Sequence, residues 1–146
     1  MEKKRNHINI SAPNLVNICV DQEENGELSG KIYHCYSENG QKFSNLMQVL
    51  RMMENLFDDI NFPQSSTMSR SFFGMETGER HKPKKCREQT EVILHRGKKN
   101  TFIVSVRFRQ NSCWQGDVYW LEKEEVLDFF STLDFIKILD RAFSLN

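Results

Sequence analysis

The sequence predicts an α+β protein in which one unit, a β-meander followed by a helix, occurs twice, giving antiparallel sheets with two packed helices. Three observations carry this expectation. Displacing the sequence against itself by 86 positions aligns residues 15–57 with 101–143 without a gap, the fixed-period self-similarity that marks a repeated supersecondary unit. Each aligned block opens on alternating apolar residues, the period of a strand with one buried face. Each closes on apolar residues at three- and four-residue steps, the period of an amphipathic helix. The expected layout is a single compact domain over 1–146, with pseudo-repeat units of about 6–60 and 91–146 joined by an insert at 61–90.

Seven of the 43 aligned pairs are identical: Val20/Val106, Asn25/Asn111, Gly30/Gly116, Tyr33/Tyr119, Glu38/Glu124, Phe43/Phe129 and Phe57/Phe143. Conservative matches fill the space between them, including Ile18/Val104, Ile32/Val118 and Leu50-Arg51-Met52-Met53-Glu54 against Ile136-Lys137-Ile138-Leu139-Asp140.

In chain order, Val16, Ile18 and Val20 alternate with Asn17, Cys19 and Asp21, and Phe102, Val104, Val106 and Phe108 alternate with Ile103, Ser105, Arg107 and Arg109. Both stretches read as half-buried strands. Asn25-Gly26 is a type I′ hairpin signal, because both central residues need positive φ, and Asn111-Ser112 is its weaker counterpart. A further hairpin is expected at Asn39-Gly40. A two-residue first turn sets Ile18 opposite Tyr33 and Val104 opposite Tyr119, which places both tyrosines on the core face. Asn45-x-x-Gln48 and Ser131-x-x-Asp134 are equivalent helix N-cap pairs. They open helices at roughly 45–60, with Leu46, Leu50, Met53, Phe57 and Ile60 inward, and 131–144, with Leu133, Ile136, Leu139 and Phe143 inward. Ile8 with Ile10, and Val92 with Leu94, are short alternating runs that could each add a leading strand.

With 38% hydrophobic residues in 146, the chain can bury a core, and no apolar run approaches the roughly eighteen residues of a membrane span. Met1 to Arg5 is charged with no apolar stretch behind it, so neither signal peptide nor anchor is expected and the expected address is cytoplasmic. Cys19, Cys35, Cys86 and Cys113 form no C-x-x-C pair and are expected as reduced thiols. Twenty basic and twenty acidic residues leave a net charge of zero, so any electrostatic partner must be recognised locally.

The local charge lies between the aligned blocks. From Arg80 to Lys99 eight Lys or Arg residues stand against Glu88 and Glu91, an excess of six positive charges. Arg80, Lys82, Lys84, Lys85, Arg87, Lys98 and Lys99 are therefore candidates for holding nucleic-acid phosphates, since clustered cations gain free energy by releasing counterions. Against this, the run from Arg80 to Arg87 has no interleaved aromatics for base stacking, and a solvated connection explains it as well.

A second candidate is a partner-binding face of Arg107, Arg109, Trp114 and Trp120, a composition typical of interface hot spots. The competing reading has the insert or the other unit covering this face, with the arginines reaching past it to solvent. His81, Cys86, His95 and Cys113 match no zinc-ligand spacing. Asp58-Asp59 and Glu124-Glu125 are explained by solvation at element ends. No phosphate-binding loop, nucleophile elbow, zinc-protease or dinucleotide motif occurs, so no metal, cofactor or catalytic residue is expected.

The stretch Arg107-Phe108-Arg109-Gln110-Asn111-Ser112-Cys113-Trp114-Gln115-Gly116-Asp117-Val118-Tyr119-Trp120-Leu121-Glu122, followed by Phe130-Ser131 and an apolar helix, resembles a motif of small Gram-positive bacterial proteins of no established function. That motif reads approximately FRQN-x-SWQG-x-V-x-W-x-E, then FRS and a Leu-rich helix. Cys113 replaces its Ser, Ser131 follows Phe130 without its Arg, and about a quarter of the chain is covered. The resemblance implies a bacterial or mobile-element origin. Together these readings favour a small non-enzymatic interaction protein that binds a protein or ribonucleoprotein. A mobile-element accessory or inhibitor of a host defence complex, such as a CRISPR effector, would be one such protein. The alternative is a nucleic-acid-binding protein using the basic 80–99 segment.

Overall fold

The computed structural model describes residues 8, 10–63, 84–110 and 113–144. The first hairpin joins β1 (Val16–Glu24) to β2 (Glu27–Tyr33). Asn25 and Gly26 at its tip take φ of 55° and 84°, as a type I′ turn requires. After the connection containing Asn39 and Gly40 comes β3 (Gln41–Phe43), then α1 (Leu46–Ile60). That connection runs through seven residues, and neither Asn39 nor Gly40 has the positive φ of a tight hairpin turn.

Past residue 83 come the short helix α2 (Gln89–Val92), β4 (Asn100–Gln110), β5 (Cys113–Trp120), a 3-10 turn at Leu121–Lys123, β6 (Glu125–Phe129) and α3 (Thr132–Ser144). The turn at Asn111-Ser112 lies outside the described residues. The architecture is α+β, with one antiparallel sheet of six strands in the order β3-β2-β1-β4-β5-β6.

Both hairpins carry a β-bulge. On β1–β2, Val20 pairs with Gly30 and Gln22 with Ser29, leaving Asp21 over. On β4–β5, Val106 pairs with Gly116 and Phe108 with Gln115, leaving Arg107 over. The glycines opposite are required by close approach. A Cβ on Gly30 would stand 2.0 Å from the Cys19 carbonyl oxygen, and one on Gly116 would stand 2.0 Å from that of Ser105.

The extra residue changes the facing of every position beyond it. Ile18 consequently pairs with Ile32 and Val104 with Val118, while the tyrosines pair with Asn17 and Ile103. Tyr33 and Tyr119 therefore lie on the outer face and not, as the turn geometry alone implied, in the main core. At the centre of the sheet β1 meets β4 with Val16 opposite Val104, Asn17 opposite Ile103 and Ile18 opposite Phe102. Residues 17 and 103 are themselves 86 apart, so a local two-fold axis passes between them.

The helices start where expected. Asn45 Oδ1 accepts from the Gln48 amide at 2.9 Å while Gln48 Oε1 accepts from the Ser44 amide at 2.7 Å. Ser131 Oγ and Asp134 Oδ2 reproduce this exchange with the Asp134 and Phe130 amides, both at 3.0 Å. These reciprocal contacts satisfy backbone donors that a helix start leaves open.

Both helices contribute to a core with the inner sheet face that includes Ile18, Met53, Phe57, Phe102, Phe129, Phe135 and Leu139. Leu133, expected inward, is 58% exposed, and Phe135 occupies the buried position instead.

The outer face is partly covered as well. Ile8, Leu15 and Ile103 form a second apolar cluster with Ile93, Tyr119 and Leu121. Asn17, fully buried, donates its side-chain amide to the Val92 and His95 carbonyls at 2.9 and 3.0 Å, fastening the 92–95 stretch over β1. The pairs Ile8/Ile10 and Val92/Leu94 add no strands: Val92 ends α2 and Ile8 packs on the outer face. Each central strand already has a neighbour on either side, leaving no open edge beside it for a leading strand.

Candidate nucleic-acid interface

Arg107, Arg109, Trp114 and Trp120 do not form one surface. The bulge at Arg107 sends Arg109 to the helix-covered side, where its guanidinium reaches Glu54 at 3.0 Å and Asp58 at 2.8 Å and its Nε donates to the Pro63 carbonyl at 2.8 Å. Asp58 is thus a partner of a buried cation and not only a solvated helix-end acid. Trp114 and Trp120 are core residues. The Trp114 indole donates to Glu54 Oε1 at 3.0 Å and that of Trp120 to Asn100 Oδ1 at 2.9 Å, so each polar tip is satisfied inside. Arg107 alone is exposed, and it pairs with the buried Asp117 carboxylate. A hot-spot surface of these four residues is therefore replaced by three interior residues and one rim arginine.

Of the seven basic candidates, Arg80 and Lys82 lie outside the described residues, as does His81. Lys84, Lys85, Lys98 and Lys99 are exposed and Arg87 is half-buried. The segment carrying them is anchored to the first hairpin and to the connection that follows it. The Cys86 and Arg87 amides donate to the Cys35 carbonyl at 2.6 and 3.2 Å, and the Arg87 guanidinium donates to the carbonyls of Ser37 and Glu38. At the far end the Lys99 amide donates to the Val20 carbonyl at 2.8 Å and the Lys98 amide to Asp21 Oδ1 at 3.0 Å.

This docking assembles residues the sequence keeps apart. His95 lies flat on Tyr33, with ring centroids 3.7 Å apart and planes 2° from parallel, and both rings are half-buried. Gly40 leaves room for the tyrosine, since a Cβ there would stand 2.7 Å from its Cε1 and Cζ. Lys31 reaches the same place, its Cδ 3.1 Å from that Cβ position. On the β2–β3 ladder Lys31 stands directly opposite Lys42, an arrangement of like charges that costs free energy without a counter-charge. None of the ion pairs among the described residues uses either lysine.

The site is cationic at its aromatic centre too. Burial, then the positive charges of Arg87 and Lys31, push the His95 imidazole below its ordinary pKa. The Tyr33 hydroxyl is pushed up, chiefly by burial. The ring stack is therefore neutral near pH 7, with the Arg87 and Lys31 cations acting on His95 and the Asp21 carboxylate and Arg87 acting on Tyr33.

Lys31, Tyr33, Lys42 and His95 were missed in the sequence for specific reasons. The bulge concealed which face Tyr33 takes, the two lysines become neighbours only through the β2–β3 register, and His95 meets Tyr33 across 62 positions. The signal that was available is His95 itself, an aromatic ring inside the basic segment. Among the described residues no three His, Cys, Asp or Glu side chains gather into a metal-holding group, and no helix is long and apolar enough to cross a membrane. No protein-family model, curated protein or solved structure matches the chain.

Proposed function

We propose that this chain is a binding protein, not a catalyst, and that it engages a nucleic acid, free or as the exposed strand of a ribonucleoprotein. The carrying observation is the Lys31–Lys42 pair standing unneutralised beside the Tyr33–His95 stack, with Arg87 next to it. Cations without counter-charge are what phosphates displace solution ions to reach, and adjacent rings supply the stacking surface that the basic run alone lacks. A mobile-element inhibitor that seizes a host defence ribonucleoprotein is a protein of this kind. The test is a fluorescence-anisotropy titration with mixed-sequence RNA and DNA at two salt concentrations. Binding is expected to weaken steeply with salt, and the double variant Lys31→Glu/Lys42→Glu is expected to abolish it. Absence of binding at low salt to every nucleic acid tried rejects the reading.

We also propose that the two halves descend from a duplication. Supporting this, the β1–β2 and β4–β5 registers, both bulges, the β2–β3 and β5–β6 pairings and the starts of α1 and α3 all coincide on displacement by 86 residues. The displaced counterparts of Lys31 and Lys42 are Asp117 and Asp128, likewise opposite one another. The lysine pair has no equivalent there, since Asp117 is buried against Arg107, which supports assigning phosphate contact to the first half alone.

A second reading, a protein partner, is favoured by exposed apolar residues at the opposite end of the sheet. Phe108, Phe130 and Leu133 are 58%, 63% and 58% exposed. Phe108 pairs with Gln115, and the neighbouring Gly116 pairs with Phe129, so Phe108 and Phe130 stand at the same level two strands apart.

A further inference from the structure

Resting on the nucleic-acid reading above, we infer that the ligand is single-stranded and that one of its bases extends the Tyr33–His95 stack, with the Lys31–Lys42 pair holding the adjoining phosphates.

The argument begins with what a duplex offers. Its bases are stacked on one another and its accessible exterior is phosphate, sugar and groove edges, so a protein that binds duplex backbone gains nothing from an aromatic ring placed flat among its cations. A single strand offers unpaired π-faces, and proteins that hold single strands combine cations along the backbone with rings on which bases stack. The patch has this combination. The His95 and Tyr33 rings are parallel and in contact, so a base added to the stack continues an existing column. The column is held from both ends of its sequence: Gly40 makes room at Tyr33, and Asn17 grips the His95 carbonyl at 3.0 Å.

Electrostatics point the same way. A histidine whose imidazole is disfavoured from charging by burial and by neighbouring cations presents a neutral ring face, suited to a base more than to a phosphate. Phosphate contact falls to Lys31 and Lys42, whose mutual repulsion an anion relieves. Arg87 is partly committed, because its guanidinium already serves the Ser37 and Glu38 carbonyls. It contributes charge at longer range.

The experiment uses the full chain and four probes of equal length or matched charge: oligo(U), oligo(dT), a mixed-sequence DNA duplex, and vesicles containing phosphatidylserine. Anisotropy for the oligonucleotides and co-sedimentation for the vesicles give the affinities. The expected result is single-strand binding at least tenfold tighter than duplex binding. His95→Ala is expected to weaken single-strand binding by roughly 5- to 150-fold, His95→Phe to retain it, and Lys31→Ala/Lys42→Ala to lower the salt slope by about 1.4. Circular dichroism of each variant separates a folding defect from a binding one, and His95→Phe preserves the ring even if the alanine variant loses structure. Equal affinity for duplex and single strand overturns the inference while leaving the nucleic-acid reading intact. So does a His95→Ala variant that folds and binds normally. Binding to vesicles with no binding to any oligonucleotide overturns both.

Discussion

His34 is buried, and its Nδ1 accepts the Tyr36 amide at 3.2 Å, a contact only the unprotonated nitrogen can make. Burial lowers its pKa from 6.5 to about 4. The folded state thus resists a proton that the unfolded chain takes up near pH 6.5. Between those values the unfolded state binds more protons, so stability rises with pH across the window. The contribution is fully present above pH 6.5 and is lost as pH falls toward 4, on the order of 3 kcal/mol in total. Urea midpoints measured from pH 7.5 down to 4 are expected to fall, and His34→Asn, whose Oδ1 can replace the Nδ1 acceptor, is expected to flatten the decline. A parallel decline in both proteins would assign the effect to other groups.

The hairpin is the element on which the site depends. Its bulge turns Tyr33 outward toward His95, and the bulge on β4 turns Arg109 inward toward α1. Gly116 shows how tightly the second bulge is built, because the Ser105 carbonyl stands 2.0 Å from where a methyl would go and is itself backbone. Gly116→Ala is therefore expected to cost about 3 kcal/mol or more by displacing the ladder, read as a lowered thermal midpoint. Gly26→Ala, which meets open space but keeps a φ of 84°, is expected to cost less, through backbone strain alone.

Elements built on local rules were legible in the sequence: the Asn25-Gly26 turn, the Asn45 and Ser131 caps and the starts of both helices follow from a few adjacent residues. The alternation of Val16, Ile18 and Val20 was legible also. What escaped was non-local. A bulge is one uncounted residue, and counting without it put both tyrosines in the core and gathered Arg107, Arg109, Trp114 and Trp120 into a false surface. The basic segment was visible by composition, but its aromatic partner sits on a strand far upstream, brought near by long-range contacts such as those of Asn17 and Cys35.

At the scale of the whole molecule, the halves are not separable bodies. The middle of the sheet is the β1–β4 ladder, to which each half gives one strand, and Val16 to Val20 on β1 are buried on both faces. The 84–99 segment, sequentially part of the second half, covers the outer face of the first. Fragments 1–75 and 76–146, expressed together, are therefore expected to form a stable one-to-one complex with the dichroism of the intact chain. Each fragment alone is expected to lose cooperative unfolding. A fragment that unfolds cooperatively by itself would show that the central ladder is dispensable.

The two-fold register between β1 and β4 has a consequence for stoichiometry. A protein assembled from two identical subunits must carry every adaptation twice, so an attractive arm is answered by a second attractive arm and two ligands arrive together. If the proposed duplication placed both arms on one chain, each became free to drift separately. Lysines could settle at positions 31 and 42 while aspartates settled at 117 and 128. The molecule thereby acquired a polarity that no homodimer of the same shape could possess. In the proposed reading one end draws a polyanion, while at the equivalent place on the other Asp117 is buried against Arg107 and no lysine pair stands, so a single strand has one place in which to lie.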